Sequence, residues 1–261
     1  YLNNRGLFGG GYTSSIVDTI QYIDITSTGD ATDFGNLSGN RYLLAGCSSV
    51  ERGVFGGGDS SASSRTNIIE YVTIASTGNA TDFGDLSASK SLLSGLASAT
   101  RGIFYQGTIS GGSGVSDVID YITIESTGNA TDFGDATKAD SDNAGLASST
   151  RGVVAGGYNT DVIEYVTILS TGNGTDFGDL SGNRLYLGAF NNTTRGVFTG
   201  GSTSGASNQV DILEYITIGS TGNTTDFGNL TQARWGVSGT SSGTRGITSG
   251  GRYSSTYTDI I

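Results

Sequence analysis

Histidine, proline and methionine are absent from these 261 residues, which also contain a single cysteine and only 13 basic side chains. Each absence excludes a class of function. Without histidine, a serine or cysteine nucleophile has no imidazole base beside it, and imidazole metal ligation is excluded as well. The lone Cys47 forms no internal disulfide. In its glycine- and serine-rich setting it reads as a small buried thiol rather than a nucleophile. The net charge of −11 leaves no clustered Lys and Arg for nucleic acid or for an anionic membrane. No segment approaches the roughly 20 apolar residues that span a bilayer, and no signal peptide is visible. The chain opens mid-pattern at Tyr1 and stops mid-pattern at Ile261, so it is read as a fragment or processed piece.

What is present is repetition. "STGNATDFG" occurs word for word at Ser76–Gly84 and Ser126–Gly134, with near-copies beginning at Ser27, Ser170 and Ser220. The embedded DFG is not a kinase magnesium motif, which requires a histidine-bearing catalytic loop and a strand lysine beside it. An Arg-Gly pair starts at Arg5, Arg52, Arg101, Arg151, Arg195 and Arg245; a tyrosine recurs at Tyr22, Tyr71, Tyr121, Tyr165 and Tyr215. Each tyrosine lies 7 residues before its turn glycine, and each turn glycine 23 before the next arginine. Only the arginine-to-tyrosine distance varies, from 14 to 20 residues. Length variation is therefore confined to one connection per repeat.

Each repeat of 44–50 residues holds four strand-like segments: "DFGDL", a small-residue stretch such as "SLLSGLAS", "RGVFGGG", and "IIEYVTI". Val, Ile, Tyr and Phe supply most larger apolar side chains, which favours strands, and no segment carries ten residues of helical periodicity. Four short strands in this period make one propeller blade. The glycine-rich stretch suits innermost strands converging on a central channel. Six Arg-Gly segments against five turns predict an all-β chain, one propeller domain over 1–261. It would have six four-stranded antiparallel blades, incomplete first and last repeats, and termini meeting in one blade.

The glycine doublet after an apolar strand ("VFGGG", "VVAGG", "VFTGG"), followed by a tyrosine strand and an aromatic near the next turn, resembles the kelch repeat. Phe34, Phe83, Phe133, Phe177 and Phe227 stand where kelch usually has tryptophan. The wording of the repeat also looks like repeat proteins of marine bacteriophages, including cyanophages. That resemblance implies a virion or tail-associated, extracellular setting among other virion proteins.

The remaining signals favour binding over catalysis, and no cofactor or metal motif stands out. The TDFG aspartates (Asp33, Asp82, Asp132, Asp176, Asp226) read as turn caps before calcium ligands. The N-x-Thr asparagines likewise read as turn formers. The Arg-Gly arginines read as architectural, paired with the acid before each tyrosine (Glu70, Asp120, Glu164, Glu214). Eleven residues before the Arg-Gly pairs stand Arg41, Lys90, Asp140, Arg184 and Arg234. If these open the innermost strands, they ring the channel mouth: a basic ring with one acidic gap, where Asp142 adds a second acid. With Tyr158 they form the candidate ligand-binding set, beside the long loop Gly107–Ser116. The variable connections open on the same face, as a binding face would. A non-enzymatic adhesion module for a host-surface glycan or protein is the leading reading. A structural spacer without a ligand is the alternative.

Overall fold

The computed structural model describes residues 4–61, 64–109, 114–205 and 207–261. Among them every regular element is a strand, and the strands form a β-propeller of five blades. The first blade has three strands, Arg5–Tyr12, Ile16–Asp24 and Thr32–Asn36. The second shows the full pattern: inner Ala45–Ser48, second Arg52–Gly56, third Ile68–Thr73 and outer Thr81–Asp85, all antiparallel. The blades beginning at Ser94, Ala144 and Gly188 repeat it.

Third strands are buried on both faces: Ile69 and Glu70 are both wholly covered in the second blade, and Val72 nearly so. Hydrophobic layers therefore lie between blades rather than in one central core. One such layer joins Val54, Ile69 and Phe83 of the second blade to Phe104 and Ile122 of the third. Inner strands approach so closely that a Cβ on Gly95 would stand 2.2 Å from Gly46 O.

The DFG tripeptide has a structural explanation. Gly84 pairs opposite Ile69 and Asp82 opposite Glu70, so Phe83 is the extra residue of a β-bulge. The bulge turns its ring inward, edge-on to Tyr71 at 5.9 Å. Gly84 has φ +146°, and a Cβ there would lie 2.4 Å from Gly128 O in the next blade. The repeated turn explains the rest of the wording. Gly128 N–H donates to Phe83 O at 2.8 Å, and Asn129 Oδ1 accepts from Asp85 N–H at 3.1 Å. The same pair of bonds recurs at Gly78 and Asn79, Gly172 and Asn173, and Gly222 and Asn223.

The ring departs from the expected six four-stranded blades. Counting Arg-Gly pairs counts second strands, but a blade also needs third and outer strands. The sixth segment forms a two-stranded sheet only, Ser238–Ser241 with Gly246–Ser249. Among the described residues the first and last segments do not share a sheet either. This small sheet meets the first blade by packing: a Cβ on Gly6 would come within 2.7 Å of Thr240 Cγ2. Arg245 Nη1 donates to Ile25 O at 3.2 Å across the same junction.

Candidate functional site

The alternation of strand direction sends two kinds of connection to one end of the ring: the variable second-to-third loops and the outer-to-inner links. They are stitched together there. Tyr42 bridges Asp59, Leu185 bridges Ser202, and Trp235 bridges Arg252. The links also bond head to tail around the channel mouth. Leu92 N–H donates to Leu43 O, Asp142 N–H to Leu92 O, Tyr186 N–H to Asp142 O, and Gly236 N–H to Tyr186 O, all at 2.8–3.0 Å. Leu43, Leu92, Asp142, Tyr186 and Gly236 all have φ between +57° and +67°. Left-handed backbone is costly for a side-chain-bearing residue and persists where its surroundings demand it. Here Leu92, Asp142, Tyr186 and Gly236 each aim one N–H at the preceding link, and Leu43 opens the series as an acceptor.

Aromatic side chains surround this mouth. Tyr186 and Trp235 lie 5.0 Å apart between ring centroids. The Arg252 guanidinium lies 5.6 Å from the Trp235 ring and 5.2 Å from Tyr257. Tyr257 then touches Tyr12 at 5.3 Å, and Tyr12 touches Tyr42 at 6.0 Å. The result is an arc of five rings and one guanidinium, with Tyr12 and Tyr257 more than two-fifths exposed. Trp235 Nε1–H has no hydrogen-bond partner among the described residues. Burial pushes the Tyr186 hydroxyl up to about 12 and that of Tyr42 upward as well. Both therefore stay protonated at neutral pH as donors and acceptors.

The expected basic ring is not at the mouth. Arg41, Lys90, Arg184 and Arg234 are all buried, one at each of four blade junctions. Arg41 pairs with Glu70, Lys90 with Asp120 at 2.9 Å, and Arg184 with Glu214. Arg41 Nη1 also donates to Gly57 O at 3.0 Å and Ile68 O at 3.1 Å. A carboxylate buried in the third strand needs a counter-charge, and the long cationic side chain of the preceding link reaches in to meet it. Burial pushes Arg41 and Arg184 down to about 10, which leaves both charged at neutral pH.

These pairings also correct the Arg-Gly arginines. Their role is architectural, but the acid before the tyrosine is not their partner. Arg52 lies over the Tyr71 ring at 4.3 Å and donates to Ile124 O of the next blade at 2.9 Å. Arg5, Arg101 and Arg151 do the same.

The copy with Asp140 is repacked internally. Glu164 keeps its buried place, but among the described residues no cation pairs with it. Gln106 of the third blade, at the position that Gly10 holds beside the Arg41 link, reaches Glu164 Oε1 with its amide at 3.5 Å. Thr137 N–H donates to Glu164 Oε2 at 2.8 Å, and the buried Tyr105 hydroxyl lies beside the same carboxylate. Asp140, itself buried, accepts from Tyr158 N–H at 2.9 Å and so tacks down that loop. Tyr158 is exposed, whereas Asp142 is buried on the mouth next to Tyr186. Of the seven expected residues, Asp140, Asp142 and Tyr158 are thus brought together. The four cations are separated and turned inward. Residues 110–113 of the long loop lie outside the described residues.

The TDFG aspartates are exposed, and no group of three metal-ligating side chains gathers among the described residues. Cys47 is partly buried, and burial pushes its thiol up to about 12. The aromatic arc was not singled out from the sequence. Its signal was the aromatic placed just after the link cation in "RYLL", "RLYL" and "RWGV". No known protein-family profile matches the chain, and no curated protein matches it.

Proposed function

We propose that this chain is a non-enzymatic adhesion propeller that holds a glycan of a host surface on its variable-loop face. The observation that carries the reading is the arc Tyr186–Trp235–Arg252–Tyr257–Tyr12–Tyr42 at the channel mouth. Tyrosine and tryptophan offer a flat apolar body and a polar tip, which suits a sugar's apolar ring face and its hydroxyl rim. Rigid aromatics interspersed with Ser, Asn and Gly in adjoining loops are also the chemistry of adaptable paratopes. The opposite face is occupied by the repeated turns that join blade to blade, which leaves the variable face for recognition. A place on a bacteriophage virion or tail, with a kelch-like ancestry, rests on the wording of the repeats alone.

A glycan array and a host-cell binding assay on the parent, Tyr12→Ala and Tyr257→Ala test the reading. Both side chains are substantially exposed, so Tm should hold within about 2 °C, as surface substitutions change stability little. Glycan affinity should fall roughly tenfold or more, the behaviour of an aromatic hot spot. Equal binding by all three would remove the arc from recognition. A parent that binds no glycan and no cell would leave the ligand-free spacer.

A further inference from the structure

The blades repeat one charged arrangement, and the junction that breaks it keeps part of the chemistry. At the entry to the second blade, Ser38 N–H donates to Glu70 Oε2 at 2.9 Å, and Glu70 Oε1 meets the Arg41 guanidinium. The fifth blade does the same with Ser181, Glu214 and Arg184. Arg184 Nη1 also donates to Gly200 O at 3.0 Å and Ile212 O at 3.3 Å, as Arg41 does to Gly57 O and Ile68 O. At the third blade Lys90 brings an ammonium instead, to Val118 O at 3.1 Å and Asp120 at 2.9 Å. Each of these sites gathers a buried carboxylate and main-chain carbonyl oxygen around a cation.

The fourth blade retains the oxygens. Glu164 Oε2 accepts from Thr137 N–H at 2.8 Å, the bond its counterparts make. Oε1, the oxygen that elsewhere meets the cation, receives the Gln106 amide at 3.5 Å and no charged donor among the described residues. Gly156 and Val162 stand where the second blade has Gly57 and Ile68, joined by the same N–H to carbonyl bond. Among the described residues no donor reaches Gly156 O. Glu164, Gly156 and Val162 line one cavity of about 40 Å³ with Asp140, Gln106 and Lys138. Lys138 is exposed at its rim, with Nζ 3.5 Å from Asp140 Oδ2. That pair cancels in charge, which leaves the cavity with the single negative charge of Glu164. A buried carboxylate without a counter-charge is costly.

We propose that this cavity is a binding site for a monovalent cation, potassium or ammonium, held by Glu164 Oε1 and the carbonyls of Gly156 and Val162. Carbonyl oxygens replace the hydration shell of such an ion, and one uncancelled carboxylate matches its charge. Calcium takes roughly six to eight oxygens, several of them from carboxylates, which this cavity does not supply.

The full chain is melted in potassium, ammonium and tetramethylammonium chlorides at one ionic strength, the last ion being bulkier and without N–H donors. Replacing tetramethylammonium with either smaller ion, from about 2 to about 200 mM, should raise Tm by about 3–6 °C, as mass action gives for a millimolar site. A larger rise with ammonium identifies the hydrogen-bonding ion, and equal rises identify the charge alone; both support the site. Glu164→Gln should melt at one temperature in all three salts. If that variant does not fold, Asp140→Arg combined with Gln106→Gly restores the link cation and should lose the dependence in the same way. A crystal grown in rubidium chloride, a heavy stand-in for potassium, should place anomalous density beside Glu164 Oε1. Coincident melting of the parent in the three salts overturns the proposal and gives the cavity to water. A dependence that survives either variant, rubidium density only elsewhere, or calcium acting at far lower concentration than potassium overturns it too.

Discussion

Asp142 concentrates the strain of the mouth in one residue. Its backbone is left-handed at φ +67°, its carboxyl is buried, and Oδ1 has no hydrogen-bond partner among the described residues. Burial pushes the carboxyl up to about 6 from 3.8, and the charge of Asp140 adds to this against the Ser141 hydrogen bond. The folded state therefore takes up a proton that the unfolded chain does not bind between pH 6 and about 4. Stability is gained as pH falls through that window and lost as pH rises through about 6. Asparagine accepts the left-handed backbone and carries no charge. Asp142→Asn should be more stable than the parent by about 1–3 kcal/mol at pH 7.5. That advantage should vanish by pH 4. Urea titrations of both proteins across this range would show it; a constant difference would mean that Asp142 does not titrate as the geometry requires.

At the scale of an element, the link that enters each blade works as a unit with the glycine corner it faces. In the second blade Arg41 enters on a link that packs against Gly10 of the first blade, where a Cβ would stand 2.4 Å from Arg41 O, and its guanidinium finds the Gly57 carbonyl. At the entry to the fourth blade the cation is gone, and Gln106 of the third blade, the counterpart of Gly10, reaches its amide to Glu164. The two changes compensate, which makes Asp140 and Gln106 energetically coupled. Asp140→Arg alone should lose about 1–3 kcal/mol by overpacking against Gln106 and Tyr105. Gln106→Gly alone should lose a comparable amount by stripping an amide from buried Glu164. Together they should recover most of the loss, a coupling above about 1 kcal/mol. Additive losses in chemical denaturation would show that the two positions do not share one slot.

For the whole molecule, stability rests on stacking between neighbours, because no blade encloses a core of its own. The same residue type should then matter differently around the ring. Phe133 is sealed by the fourth blade, and Phe133→Ala should cost about 3–5 kcal/mol through loss of burial and the cavity left behind. Phe227 in the fifth blade is 48% exposed, and Phe227→Ala should cost about 1 kcal/mol or less. Equal costs in equilibrium unfolding would place a covering element over the fifth blade in solution.

Much of this architecture was legible in the sequence because each repeat states its local physics several times over. The strand order, the buried DFG phenylalanine, the crowded inner glycines and the sorting of loop variation to one face follow from spacing and side-chain type within one unit. The destination of the link cations did not. Arg41 and Glu70 are 29 residues apart and meet only because stacking brings a link against the next blade's third strand. The aromatic arc has the same origin: Tyr12 and Tyr257 come from opposite ends of the chain and touch only where the ring closes. Blade number escaped the repeat count because a second strand marks a repeat, whereas a blade exists only where third and outer strands pair with it. Local pattern determined what each strand is; packing between strands distant in sequence decided what each charge and ring does.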